Sequence, residues 1–277
     1  MAGPLRNISN HLQEYTHLRH GRAIRALQVI HPGRQIFQSQ PPLLSVNTGV
    51  DWPRWAQDIG GIQGTWIANQ AALAALGQGH VSQIVLGMPA GPQGRFRQLY
   101  RANGPGQLQA QDDYDIMRRN CWAFSAWDNI NNRQGAFLNV YDDISRINHS
   151  CRPNVIINIE AGTGNADVIA IRRIAVNEEI TVNYLVGDWL LSYLQRRGIT
   201  NQNWGFQCDC VDCATPASRT TGNTIRNRIN QSQNSFPTLP AVANWDALVT
   251  ARVLSSLTER VSLTEALVGK NEEWLEA

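Results

Sequence analysis

The chain has 277 residues, 43% of them apolar and 17% charged, which suits one large domain or two modest ones with a buried core. Its net charge of +2 gives no electrostatic case for nucleic acid or an anionic membrane surface. Five cysteines, an odd number, are too few for a disulfide scaffold of this size and suit buried thiols or metal ligands.

The opening MAGPLRNISN has no apolar signal-peptide core, and no apolar run nears the ~18 residues of a membrane span. The expectation is an intracellular protein of the cytoplasm or nucleus, with no membrane partner. Lys270 is the sole lysine among the basic residues. Compositional bias is the plain account; a lysine-directed enzyme that spares itself is the other.

From Gly21 to Val46, the runs AIRALQVI, RQIFQ and PPLLSV alternate apolar and polar residues around a turn at His31-Pro32-Gly33, and read as a β-meander. DWPRWAQDI and GTWIANQAALAALG then read as helices, the second stopping at Gly77. The basic-aromatic piece RFRQLYR, in a loop-rich stretch, reads as a solvated helix face rather than a nucleic-acid site. DDYDIMRRN is helical in pattern, and GAFLNVYDDIS follows it.

VIINIE and VIAIRRI form the clearest hairpin, joined by the Gly-rich AGTGNAD. EEITVNYL predicts one more strand, and the acidic pair Glu178-Glu179 is placed in solvent at its turn. DWLLSYLQRRG predicts a helix ended by Gly198. Residues 215–242 are Ser/Thr/Asn/Gln-rich and read as a linker or loop, and 243–277 as short helices, the last capped by Ser262 with Glu265.

Two motifs carry chemistry. GFQCDCVDC places Cys208, Cys210 and Cys213 in C-x-C-x2-C spacing. Three thiolates this close suit Zn²⁺, which takes four tetrahedral ligands at ~2.3 Å from sulfur. The fourth is open among Cys151, Cys121, a histidine and water, with Cys151 the first choice because RINHSCRPN is the other dense polar motif. With four thiolates the site is closed and structural. A hydrolase is excluded for RINHSCRPN: Ser150 lacks an elbow with flanking glycines, and His149, its neighbour in sequence, cannot face it.

Taken together, GRAIRALQVIHPGRQIF, RINHSCRPN, EEITVNY and the cysteine triplet resemble the SET-domain methyltransferase signature, over Gly21 to Cys213. The likeness is to the SET and MYND subgroup and related fungal SET-domain proteins, without the MYND zinc finger. It implies a β-rich α+β fold: short sheets with a pseudoknot, a helical insert and a zinc-bound post-SET segment. The parts are then an N-terminal SET part (1–50), a helical insert (51–119), a C-terminal SET core (120–187), and a post-SET helix and zinc segment (188–214).

The resemblance implies S-adenosylmethionine as cofactor, contacted by Arg22, Ala23, Asn120, Asn148, His149, Tyr184 and Phe206. Tyr184 is the implied catalytic residue, and Cys151 the fourth ligand of one structural zinc. The implied reaction is direct methyl transfer to a neutral amine, which requires positioning and desolvation rather than a covalent nucleophile. The implied partner is a protein with a lysine side chain. A histone is one such protein, though nothing in the sequence selects it. A small-molecule amine is the alternative substrate, and a non-catalytic SET module the alternative from another class.

Two departures bear on this. Ala23 stands where the second glycine of the N-terminal motif is usual, and would strain the backbone if that position needed positive φ. Asn177 stands in place of the glycine that often precedes the acidic pair.

Overall fold

The segments LQEYTH and GRAIRA pair antiparallel as β2 (Leu12–His17) and β3 (Gly21–Ala26), with β1 (Asn7–Ser9) on the outer edge of β2. The computed structural model describes residues 7–17, 21–47, 70–100, 109–128, 133–160, 162–185 and 190–234. The chain divides into two units, one of residues 1–34, 148–156 and 169–277, the other of 35–147 and 157–168.

In the first unit Leu12, Ala23, Ile24 and Ala26 are fully buried. Each buried Leu or Ile contributes about 1.5–3 kcal/mol. Glu14 is equally buried, and Arg22 Nη1, diagonally across the sheet, holds it at 3.0 Å. The segment after Ile174 continues along β3: Ile180 N–H donates to the Ile24 carbonyl, Ala26 N–H to the Glu178 carbonyl and Asn177 N–H to the Ala26 carbonyl. Among the described residues Asn177 is the one non-glycine with positive φ, at 65°. Asn tolerates that left-handed turn better than other side chains, which explains how it stands in for glycine. Ala23 lies in the β3 ladder without positive φ, so the strain considered for it is absent.

The expected meander is corrected. Strand β3 pairs with β2; β4 (Gln35–Gln40) joins β10 (Ala166–Ala170) and β9 (Val155–Ile159), and β5 (Leu44–Asn47) pairs with β7 (Arg133–Val140). The turn at His31–Gly33 is present, with Gly33 at φ 75° and its N–H on the Ala170 carbonyl. A turn residue sets where the chain bends, not which strand it meets, and β4 and β5 find their partners far along the sequence. The expected hairpin of VIINIE and VIAIRRI holds, since β9 and β10 are neighbours in order β4-β10-β9.

The second unit packs α1 (Gln70–Gly87), α2 (Ala90–Phe96) and α3 (Gln109–Asn120) with a sheet of order β5-β7-β6, where β6 is Cys121–Asp128. Its core joins Leu44, Val46, Val85, Phe96, Ile116 and Val140. Helix α1 runs through Gly77, which is therefore not its stop. The helix expected over 51–59 lies outside the described residues, as do those over 243–277.

Two further corrections fall in the first unit. Helix α4 (Tyr193–Trp204) starts later than expected, because Ser192 and Gln195 form a reciprocal capping box. It passes through exposed Gly198 and stops at Gly205, φ 76°. The linker reading fails over 216–234, which is helix α5 (Pro216–Asn234). Its start is legible in hindsight: Thr215 Oγ1 accepts from Ser218 N–H at 3.1 Å, and Pro216 takes the first helical position. The inward face is Gly222, Arg226 and Ile229, so its composition hides its periodicity.

The two helical glycines set up a contrast. A Cβ at Gly198 meets nothing within 4 Å, whereas at Gly222 it would lie 2.8 Å from Arg226 Nη1. Gly198→Ala should raise stability by about 0.5–1 kcal/mol. Gly222→Ala should instead lower it, because Arg226 is pinned to Asp212. Thermal melts of the two variants check this; equal gains would show that Arg226 moves aside freely.

Candidate functional site

The polar turn is anchored by β8 (Asn148–His149), which pairs parallel with β11 (Thr181–Val182), in register Thr181 with Asn148 and Val182 with His149. Of the expected strand EEITVNYL only these two residues are strand. Asn154, fully buried, locks the pairing. Its Oδ1 accepts from Thr181 N–H at 2.8 Å, its Nδ2 donates to the Glu179 carbonyl at 2.7 Å, and its own N–H donates to the Thr181 carbonyl.

The acidic pair, expected in solvent, is half-buried and tied to this turn. Glu179 Oε1 accepts from Asn148 Nδ2 at 2.8 Å, and that same amide reaches the Arg22 carbonyl at 3.3 Å. Tyr15 also hydrogen-bonds Glu179, and burial first, then the Glu179 charge, pushes its phenol up. Glu178 accepts from Asn154 Nδ2 at 3.1 Å and pairs with Arg172 at 2.7 Å. Against the upward push of burial, hydrogen bonds from Arg172, the Ala175 N–H and Asn154 hold Glu178 below its ordinary value.

His149 is 6% exposed, and both ring nitrogens have protein partners. Nδ1 accepts from the Tyr184 N–H at 3.0 Å, and Nε2 lies 3.4 Å from Cys151 Sγ. The backbone N–H is an obligate donor, so the ring proton sits on Nε2 and points at sulfur. Around Tyr184 stand His149, Trp204 and Phe206, with ring centroids at 5.3, 5.2 and 6.4 Å, and Phe206 is 5.9 Å from His149. Removal from water first, then the Glu179 charge, drives the Tyr184 phenol well above its ordinary value. At neutral pH it is a hydrogen-bond donor, not a base. A Cβ built on Gly21, whose φ is 74°, meets nothing within 4 Å, leaving that backbone open to a ligand.

The structure thus brings together Arg22, Asn148, His149, Tyr184 and Phe206 in one unit. Ala23 is in the same strand as Arg22 but is fully buried. Asn120 belongs to the second unit, where its Nδ2 donates to the Tyr100 and Ile116 carbonyls at 2.8 and 2.7 Å, closing helix α3.

Beneath the turn the sulfurs of Cys151, Cys208, Cys210 and Cys213 all lie within 4.8 Å of one another. Among the described residues this is the cluster able to hold a metal. Four sulfurs set tetrahedrally at ~2.3 Å from an ion stand ~3.8 Å apart. Cys151 Sγ is 3.9 Å from Cys208 Sγ and 3.7 Å from Cys213 Sγ, so the donor set fits. Hydrogen bonds from Cys151 first, then Cys208, lower the Cys210 and Cys213 thiols. Cys121, a rival for the fourth ligand, is in the second unit and donates to the Arg118 carbonyl.

Several residues here escaped the sequence reading: Tyr15, Asn154, Trp204 and the Asp212–Arg226 pair. Trp204 could have been found from its place two residues before Phe206.

Comparison with known proteins matches residues 21–185 to the SET domain. The human Histone-lysine N-methyltransferase SMYD3 is 31% identical over 130 residues, 45% of this chain and 29% of that protein. The Histone-lysine N-methyltransferase SET5 of Yarrowia lipolytica is 39% identical over 85 residues, 31% of this chain and 18% of that one. ATXR2 of Arabidopsis thaliana, also named a histone-lysine N-methyltransferase, is 40% identical over 76 residues, 27% of this chain and 15% of that one. The chain therefore spans less than a third of the length of these relatives.

Replacing Asn154 tests the lock. Asn154→Ala leaves the Thr181 N–H and the Glu179 carbonyl without their Asn154 partner, and should cost about 2–6 kcal/mol, one to three for each group. Chemical denaturation measures it, and a loss under about 0.5 kcal/mol would remove Asn154 from this role.

Proposed function

The chain belongs to the SET-domain family, and on that premise we propose that it transfers a methyl group from S-adenosylmethionine to a lysine side chain of a protein. The support that carries the reading is Tyr184, a phenol kept protonated and walled by His149, Trp204 and Phe206, next to the turn that Asn148 anchors. The relatives' names specify histone lysine, and we take a histone as the first substrate to assay.

When bound, the cofactor supplies a methyl group made electrophilic by a sulfonium. Within this proposal the backbone of Gly21 to Ala23, with Arg22, receives it together with Asn148 and the main chain of His149. The ring nitrogens of His149 are already engaged, so its imidazole orients Tyr184 instead of touching cofactor. Asn148 is held by Glu179 and the Arg22 carbonyl, presenting its Oδ1. Phe206 and Trp204 exclude water from the reacting atoms, which favours the neutral amine that must attack. The Tyr184 hydroxyl orients that amine and, with nearby carbonyls, the polarised methyl. Cys151, Cys208, Cys210 and Cys213 hold one structural zinc, closed to water.

None of the five cysteines forms a disulfide, which suits the reducing cytoplasm or nucleus we assign. Among the described residues no helix is long and apolar enough to cross a membrane. Asn120, a cofactor contact by the resemblance, is left out of this proposal because its Nδ2 already donates to the Tyr100 and Ile116 carbonyls. The binding-module alternative rested on strain at Ala23, which the β3 ladder removes.

Calorimetric titration of the zinc-loaded protein with S-adenosylmethionine should show one site, and a folded protein that binds none rejects the proposal. Tyr184→Phe should lower turnover on histone or another lysine-bearing protein by about 10²-fold, with cofactor affinity kept. Since Tyr184 stays protonated well above its ordinary range, the rise of rate with pH should follow the substrate amine and survive in the variant's residual activity. Elemental analysis should give one zinc per chain, less well retained in Cys151→Ser; equal retention would remove Cys151 from the ligand set.

A further inference from the structure

Two arginines of the first unit, Arg196 on α4 and Arg226 on α5, are each only 1% exposed. A guanidinium stays charged at any pH a protein meets, so burial obliges it to face an anion. Arg226 does so plainly: Nη2 donates to Asp212 Oδ2 at 2.7 Å and to the Cys151 carbonyl at 3.0 Å.

Among the described residues Arg196 faces no carboxylate. Its Nε donates to Cys151 Sγ at 3.3 Å, its Nη2 points to Cys213 Sγ at 4.0 Å, and its Nη1 caps the Leu191 carbonyl. Neutral thiols offer no charge to answer it. A divalent ion held by four thiolates carries two net negative charges, and that is an anion of the right size and place. We propose that Arg196 is the counter-charge of the cysteine centre and sets how tightly the metal is kept. This rests on the metal reading of Cys151, Cys208, Cys210 and Cys213 given above.

The local architecture is consistent with a built device. Ser192 caps the helix so that Tyr193, Arg196 and Thr200 form its inward face, and the Arg196 fork lies against two of the four sulfurs at once. His149 presents its Nε2–H to the same Cys151 sulfur at 3.4 Å. Cys151 therefore accepts two N–H donors and gives up charge to both, which lowers repulsion among the sulfurs. Asp212, between Cys210 and Cys213 in sequence, would add negative charge if left alone, and Arg226 cancels it. Arg196 lies beyond the SET-domain match, which ends at residue 185.

The test separates charge from packing in the full-length protein. Arg196→Gln keeps a donor and loses the charge; Arg196→Lys keeps the charge and loses the fork. Zinc affinity is read by competition with a chromogenic chelator, with circular dichroism to establish folding. Arg196→Gln should weaken zinc binding by about 10–100-fold, and Arg196→Lys by clearly less. A Gln variant within twofold of the parent, or a Lys variant no tighter than the Gln one, overturns the proposal. If the Gln variant does not fold, a Lys variant that retains zinc no better than Cys151→Ser overturns it. A parent protein that takes up no zinc would instead reject the metal reading itself.

Discussion

The parallel pairing of Asn148–His149 with Thr181–Val182 is the constraint on which the first unit depends. Parallel neighbours cannot be joined by a tight turn, so the intervening chain must leave and return. Asn154 fixes the return by accepting from Thr181 and donating to the Glu179 carbonyl. Once that register is set, Asn148 meets the Arg22 carbonyl and Glu179, His149 meets the Tyr184 amide, and Cys151 is delivered to the other three cysteines. One slipped residue would turn His149 and Asn148 to opposite faces and undo all of these contacts.

Charge burial is the second theme of this unit. Glu14 with Arg22, Asp212 with Arg226, and Arg196 with sulfur place ionised groups where apolar ones would normally pack. Such pairs add little net stability over well-packed apolar residues, but breaking one leaves an uncompensated charge. Their value is then in specifying one arrangement: the N-terminal hairpin and the tail each carry buried charges that must be answered by particular neighbours. The same economy explains why α5 is so polar in composition and yet packs as a helix.

Much of the site was legible in the sequence, because it is written in short stretches with unusual chemistry. The cysteine triplet asked for a fourth sulfur, and Cys151 is the one within reach. Phe206 and Tyr184 came with their motifs and stand 6.4 Å apart. What could not be read depends on pairing over long distances. The turn at His31–Gly33 is good local chemistry, yet β4 beyond it pairs with β10 and β5 with β7, far along the chain. Arg226 fell in the stretch read as a linker and Arg196 in the last turn of a predicted helix, and nothing local tells a guanidinium facing water from one facing sulfur. Helix α5 was obscured because its inward face uses glycine and arginine where a periodic apolar stripe is the usual signal.

Gly205 has a consequence for the order in which the protein is made. Its left-handed turn lets Trp204 and Phe206 leave the end of α4 on either side of one residue and both reach the ring of Tyr184. Two walls of that enclosure therefore ride on the segment that leads into Cys208, Cys210 and Cys213. A nascent chain that has emerged only through Tyr184 holds the described strands but lacks Trp204 and Phe206. Completion waits on contacts between residues near 21, 149 and 206, whose wide separation makes closure slow. Those two rings thus arrive late in synthesis, with the tail, and not with the strands that give the fold its outline.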